Sequence, residues 1–582
     1  MDLPLLIIGR PFWQTALFFL SALALPNAHA AAEDLAGRVT YENVGLYPAQ
    51  VRVKATTISA TTDRMGQFVL QGITTPDTVV VTAWSEGYYN GEAKAVAGDT
   101  SVVVVLHPLP EQDNPDYVWL SPAPDGTESL QCGNCHGRAL MDQWQNNAHA
   151  KSATNPFFLA MYYGTDTLGT ANTGVGYKSD FEHTQGTCAT CHIPGAALAN
   201  PWGVDPQSVT GVSRNGVFCD FCHKIKRVKA GTGQGTTGVL SVELLRPPDG
   251  AQVFFGPFDD IHEPDSYLPL IRRSEFCAPC HTAKFWGVPA YSTFPEWQAS
   301  PYPDMGIECQ SCHMAPDGVT TNFAPGKGGV ERDPHTIPSH SQPGSRDPDF
   351  LSRAVTMTLS AEQRADTLMV RAVVLNDQTG HHVPAGRPSR NMILLVSAVD
   401  TASIRMPQIG GEQVPSWGGE GDITEQNYAG EPGKGFAKVM EDFNGISPAP
   451  SWRPSRILSD NRIAALAADT SYYAYRIPEG VEHLSISAQL FYRRFYKPWM
   501  DEKRFDIPDI LMAREDLDVM VTSLPGPMDF DGDGSIDFQD FILFAQHFGQ
   551  TPENPGFDVR FDLNRSGRVD FQDFIVLAQH FR

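Results

Sequence analysis

The chain has 582 residues, 41% of them hydrophobic and 10% aromatic, with 43 Lys and Arg against 67 Asp and Glu and a net charge of −24. That length exceeds one domain of ~100–200 residues and points to three or more. The apolar content excludes a wholly disordered chain, and the acidic balance argues against a nucleic-acid partner, which would require a basic face for the phosphates.

Taken in chain order, residues 12–25 form an apolar stretch, followed by Ala28-His29-Ala30 and a polar Ala-Glu-Asp. This pattern reads as a secretory signal over 1–30, cleaved after Ala30. The stretch is shorter than the ~20 residues of a spanning helix. An uncleaved anchor is the alternative, because Met1–Ile8 is itself apolar and Arg10 is the only positive charge ahead of the core. No later stretch is long and apolar enough to span. The mature chain is therefore expected to be exported, to the periplasm or the cell exterior and surface, with no transmembrane segment.

Residues 33–108 show alternating apolar residues with turn signals about every 8–12 residues, which predicts a β-sandwich. The Thr62-Asp63-x-x-Gly66-x-Phe68 turn and the Glu86-Gly87-Tyr88 end resemble the carboxypeptidase regulatory-like domain. That resemblance implies a spacer or adhesive module without chemistry. Residues 109–127, rich in Pro and Asp, read as a linker.

The segment 128–349 holds all ten cysteines, in five C-x-x-C-H motifs. They are Cys132/Cys135-His136, Cys188/Cys191-His192, Cys219/Cys222-His223, Cys277/Cys280-His281 and Cys309/Cys312-His313. Two thiols three positions apart can add to the two vinyl groups of one haem, and the following histidine then ligates the iron from the proximal side. A zinc pair or a redox dithiol would require only C-x-x-C, with no histidine after the second cysteine each time. The motifs predict five covalent haem c groups. Long and short intervals between motifs alternate, which suggests paired haems. Segments this short cannot build their own core, so the haems themselves must supply much of it.

Each iron has a second axial position. Of 17 histidines, the candidates for distal ligands are His149, His183, His262, His335, His340 and His381, where His335 and His340 compete for one role. His382 is expected beside a ligand or at the surface. Met141, Met161 and Met305 read as packing residues, and Met314, next to His313, is badly placed to ligate the same iron. Two nitrogen ligands give a lower potential than His/Met.

Several stretches resemble the multihaem cytochrome c family that includes the tetrahaem cytochrome of nitrifying bacteria and, more distantly, hydroxylamine oxidoreductase. They are Trp144-Gln-Asn-Asn-Ala-His149-Ala-Lys-Ser152, Gly306-Ile-Glu-Cys309 through Met314, Ser339-His340 and Gly380-His381-His382-Val-Pro384-Ala-Gly386. The resemblance implies distal roles for His149 and His381, although Asn146 or Asn147 stands near the family's usual serine. It implies electron transfer more readily than a particular reaction. No C-x-x-C-Lys haem of the ammonia-forming nitrite reductases is present, and no catalytic residue can be named.

Residues 350–523 carry strand-like runs and predict a second β domain whose loop at His381 supplies a distal ligand. Residues 407–435 read as a long surface loop. Residues 527–582 contain two copies of an acidic loop. The first offers Asp529, Asp531, Asp533, Ser535 and Asp540; the second offers Asp562, Asn564, Ser566, Arg568 and Asp573. Oxygen ligands at positions 1, 3 and 5, a carbonyl at 7, a glycine at 6 and an acid at 12 fit a Ca²⁺ loop, so two calcium ions are expected. Asp at position 12 departs from the EF-hand and resembles dockerin modules, which implies a cohesin-like or cell-surface partner.

The expected fold is multidomain: an N-terminal β-sandwich, a mostly helical or irregular haem-packed domain, a second β domain and a small α-helical calcium-binding helix-loop repeat. The expected function is an exported pentahaem c-type cytochrome that transfers electrons through closely packed, mostly bis-His haems to redox partner proteins. Two other readings stay open: an oxidoreductase acting on a small nitrogen or sulfur compound at an open haem, and a structural surface or filament cytochrome.

Overall fold

The computed structural model describes residues 32–75, 77–122, 131–229, 231–232, 236–522 and 526–581. The expected signal segment lies outside these residues. The chain divides into two compact units, 1–107 and 108–582.

The first unit is built from two sheets. In one, Glu33–Tyr41 pairs with Val44–Gly45 and Gln67–Ile73 antiparallel and with Val102–Val105 in parallel. The other runs Ser59–Thr61, Gln50–Val53, Val79–Trp84, Gly91–Ala95. Alternation sends Phe68 and Leu70 inward and leaves Gln67 and Val69 exposed, and Leu35, Val51, Val81 and Val104 complete the shared core. The Asp63 carboxylate accepts the amides of Met65 and Gln67, both at 2.8 Å, and closes the predicted turn. Gly66 sits there at φ 78°, and a Cβ would come within 2.6 Å of the Val39 carbonyl, so the turn requires glycine.

In the second unit the five motifs each form about one helical turn. Cysteines at i and i+3 then lie on one face, which presents both thiols together. The helix Cys132–Asn146 is interrupted at Gly137, φ 68°, directly after the motif histidine. The helix Pro156–Tyr163 is capped by Asn155, starts on proline and ends on left-handed Gly164. Its Ala160 and Met161 pack with Phe495, Trp499, Met500 and Phe505, so one core is shared between the haem segment and the β domain.

The β domain over 350–522 consists of two sheets. One runs Thr356–Arg364, Thr367–Leu375, Ala468–Arg476, Gln408–Gly411; the other runs Arg456–Asp460, Gly433–Glu441, Asn391–Asp400, His483–Arg493, Ile510–Met520. Leu368, Val370, Met392, Leu394, Ile486 and Leu490 lie in the core between them.

Two stretches differ from the sequence expectation. Residues 109–122, expected as a linker, lie pinned along the haem segment. Asp113 pairs with Arg246 at 2.5 Å, and the Leu120 amide and Tyr117 hydroxyl donate to Asp220 at 2.8 and 3.0 Å. Residues 407–435, expected as a surface loop, contribute a strand and buried Val414, Trp417 and Tyr428. The fully buried Arg493 guanidinium explains this. It donates to the carbonyls of Gly418 and Gln426 at 2.8 and 2.6 Å while pairing with Asp509 at 2.6 Å.

The C-terminal helices Phe538–His547 and Phe571–Ala578 share a small core of Phe544, Phe561, Val569 and Leu577. No helix among the described residues is long and apolar enough to cross a membrane.

Candidate functional site

The motifs, separated along the chain, meet through their sulfurs. All ten cysteines are free thiols. Cys132 interacts with Cys219, Cys191 with Cys280 and Cys277 with Cys309, and Cys222 bears on both Cys277 and Cys280. The first motif therefore adjoins the third, and the fourth adjoins the second, third and fifth. Three disulfides at these contacts would strand Cys135, Cys188, Cys222 and Cys312, whereas thioethers at every motif use all ten.

Four of the five motif histidines share one device. Nδ1 of His136 donates to the Phe323 carbonyl at 2.8 Å, His192 to Ser152 at 3.3 Å, His223 to Phe255 at 2.6 Å and His313 to Pro343 at 2.8 Å. A carbonyl only accepts, so the proton must sit on Nδ1, which leaves Nε2 bare for a metal. His381 does the same toward the His382 carbonyl at 3.0 Å, and His149 donates to the Gln342 side chain. Burial favours the neutral ring at His149, His223 and His313. It pulls His192, His340 and His381 down to about 4 and His281 to about 3.

Three motif histidines each face a second histidine. His223 and His340 have ring centres 6.5 Å apart, His281 and His149 6.3 Å, and His313 and His381 6.4 Å. His136 and His192 have no histidine at that separation among the described residues. His136 stacks on Phe323 at 6.5 Å, and Phe158 lies flat on His192 at 4.0 Å. His183, His262 and His335 are exposed. His382 is half-buried beside His381, its amide donating to Glu296 at 3.3 Å.

Comparison with known proteins adds a family. Residues 131–224 match the family Cytochrome c554 and c-prime. The matched span contains the first three C-x-x-C-H motifs. Among solved structures, the chain is similar to a penta-heme cytochrome c552 from Thermochromatium tepidum, at 20% identity over 67% of this chain and 97% of that one, with a TM-score of 0.49. A cohesin–X-dockerin complex from Acetivibrio cellulolyticus matches at 19% identity over 13% of this chain and 58% of that one, with a TM-score of 0.12. No curated protein matches the chain.

The facing histidines fit haem iron on their own geometry. Two imidazoles on one metal, each ~2.0–2.1 Å from it with the ring centre about 1.1 Å behind the nitrogen, place their centres ~6.3 Å apart. The three observed pairs have this separation. Gln342 and the backbone carbonyls that fix the tautomers belong to no sequence motif, and nothing in the sequence marks them.

The C-terminal loops are folded around their acids. Asp529 accepts the amides of Gly532 and Gly534 at 2.7 Å, and the carboxylates of Asp529, Asp531 and Asp533 converge within 4.8 Å. Asp562 accepts Ser566 and Gly567 at 2.9 and 2.7 Å in the second loop. The acids at position 12, Asp540 and Asp573, are fully buried and cap the following helices through the amides of Asp537 and Asp570 at 2.8 Å. Gly534 and Gly567 hold φ 88° and 84° at position 6, and Ser535 and Arg568 follow them at position 7. Asn564 bonds Ser566 at 2.9 Å.

Proposed function

We propose that the chain is an exported pentahaem cytochrome whose task is electron transfer between redox partner proteins. The single observation that carries this reading is the set of three facing imidazole pairs at the spacing of a six-coordinate metal. In this reading His340, His149 and His381 serve the third, fourth and fifth motifs as distal ligands, opposite His223, His281 and His313. The bound haem supplies a one-electron iron couple. The chain holds each ligating nitrogen unprotonated, and its core keeps water from the rings.

The sulfur contacts support a branched network with the fourth motif at its centre. A branched arrangement suits collection from more than one entry point. The C-terminal loops are read as two calcium sites that brace a partner-docking module, and the first unit as a spacer. Export follows from the N-terminal sequence and from the chemistry of covalent haem attachment.

A second reading has its own observation. With no histidine opposite His136 or His192 among the described residues, the first or second motif would leave an iron position open for a small ligand, and the chain would be an oxidoreductase.

Coulometric titration of the purified holoprotein tests the first reading. Uptake of five electrons per chain, with no change on adding carbon monoxide, supports a carrier. Carbon monoxide binding to one haem moves the assignment to the second reading.

A further inference from the structure

Four arginines gather where three separate segments meet. Arg346 precedes the helix Pro348–Leu351, Arg387 and Arg390 lie in the loop after His381, and Arg494 follows the strand His483–Arg493. The Arg387 guanidinium donates to the Arg494 carbonyl at 3.5 Å, and Ser389 donates to the same carbonyl at 3.3 Å. Arg387 lies 3.9 Å over the Phe495 ring and Arg494 5.1 Å over Phe157, so both are fixed by aromatic faces. Arg390 reaches the Ala385 carbonyl at 3.0 Å.

The Nε groups of Arg387 and Arg390 are buried with no hydrogen-bond partner. Among the described residues none of the four has a carboxylate within 4.0 Å. This occurs in a chain of net charge −24, where acids are abundant. Four uncompensated cations in a half-buried place are costly unless an anion joins them. Burial and mutual repulsion already pull Arg387 to about 9 and Arg494 to about 10. The cluster borders two motifs, since Arg387 bears on His192 and Arg390 on His281.

We propose that Arg346, Arg387, Arg390 and Arg494 form a binding site for a carboxylate or small oxyanion between the second and fourth motifs. Guanidinium forks match the paired oxygens of such anions, and an unpaired Nε–H is the donor a bidentate partner takes. Two sources share this chemistry: a propionate of a covalently attached haem, or a free oxyanion. The propionate source rests on the haem reading of these motifs.

The test is spectroelectrochemistry on the holoprotein, wild type against Arg346→Gln and Arg494→Gln, with sulfate or chloride at matched ionic strength. Haem content is measured first. A chain without haem contradicts the haem reading; isothermal titration of that chain with sulfate then judges the site, and heat that is absent, or equal in wild type and both variants, overturns it. Arg346 is the exposed member, so its removal spares the packing of the others. If a propionate occupies the site, each variant lowers one midpoint potential, and sulfate does nothing. If the site takes free oxyanions, sulfate lowers that potential in the wild type and not in the variants. Full haem content with identical potentials in all three proteins, with and without sulfate, overturns the proposal.

Discussion

The imidazoles of His313 and His381 stand 6.4 Å apart with their planes 14° from parallel. One closes a C-x-x-C-H motif, and the other comes from a loop of the β domain. Asn376 fixes that loop by donating to the carbonyls of His381 and Ile463, both at 2.9 Å. In the proposed reading the β domain thereby completes a site whose cysteines it does not contain.

Replacing His381 with alanine is expected to convert one low-spin haem to high-spin and to open it to carbon monoxide. Haem content should be unchanged, since the thioether cysteines remain. His340→Ala should do the same for a different haem. Optical and magnetic circular dichroism spectra check this, and an unchanged low-spin population would exclude these ligands.

The adjacency of the motifs predicts that position in the network matters more than haem number. Cys277→Ala with Cys280→Ala removes the fourth motif, which adjoins three others. Cys132→Ala with Cys135→Ala removes the first, which adjoins one. Both lose one haem. Stopped-flow reduction should leave a slowly reduced fraction in the first variant and a simple loss of amplitude in the second. Equal kinetics would contradict the branched arrangement.

Arg493 and Asp509 form a fully buried pair at 2.6 Å that also holds the Gly418 and Gln426 carbonyls. Arg493→Met strands Asp509 and two carbonyls and should cost about 3–5 kcal/mol. Adding Asp509→Leu should recover part of that loss. Denaturant unfolding measures both.

Lys503 is fully buried, donating to the carbonyls of Ala160 and Thr165 at 3.4 and 3.1 Å, and burial lowers it from 10.5 to about 8. Between these values the unfolded chain binds the extra proton, so stability rises with pH across the window. Wild-type melting temperature should therefore gain on that of Lys503→Met as pH goes from 8 to 10.5. A constant difference would show that Lys503 stays charged.

Calcium should stabilise the C-terminal module. Isothermal titration of the chelated full chain is expected to show two sites, with Asp531→Ala weakening the first by roughly tenfold or more through loss of a charged ligand. Binding that survives substitution of Asp531 and Asp533 together would exclude the first loop.

Legibility in the sequence followed the range of each constraint. The C-x-x-C-H turns and the Asp63–Gly66 turn are local, and spacing alone reveals them. The paired sheets were readable from alternation, as at Gln67–Ile73. What escaped was set by distant partners. Trp417 and Tyr428 looked like loop residues because the charge that organises them, Arg493, lies far along the chain. Residues 109–122 looked like a linker because their anchors, Asp220 and Arg246, lie in the third motif and beyond it. Histidine count ranks His183, His262, His335 and His340 alike; the family resemblance marks His149 and His381 in the sequence, whereas only the fold brings His340 opposite His223. The arginine cluster is drawn from three segments, so no pattern in the sequence announces it.

Electron paramagnetic resonance of the purified, oxidised holoprotein tests the electron-transfer reading most directly. Facing histidine pairs at the third, fourth and fifth motifs predict low-spin ferric signals for at least three haems, unchanged by nitrite. A spectrum dominated by high-spin iron, or one without haem, would contradict it.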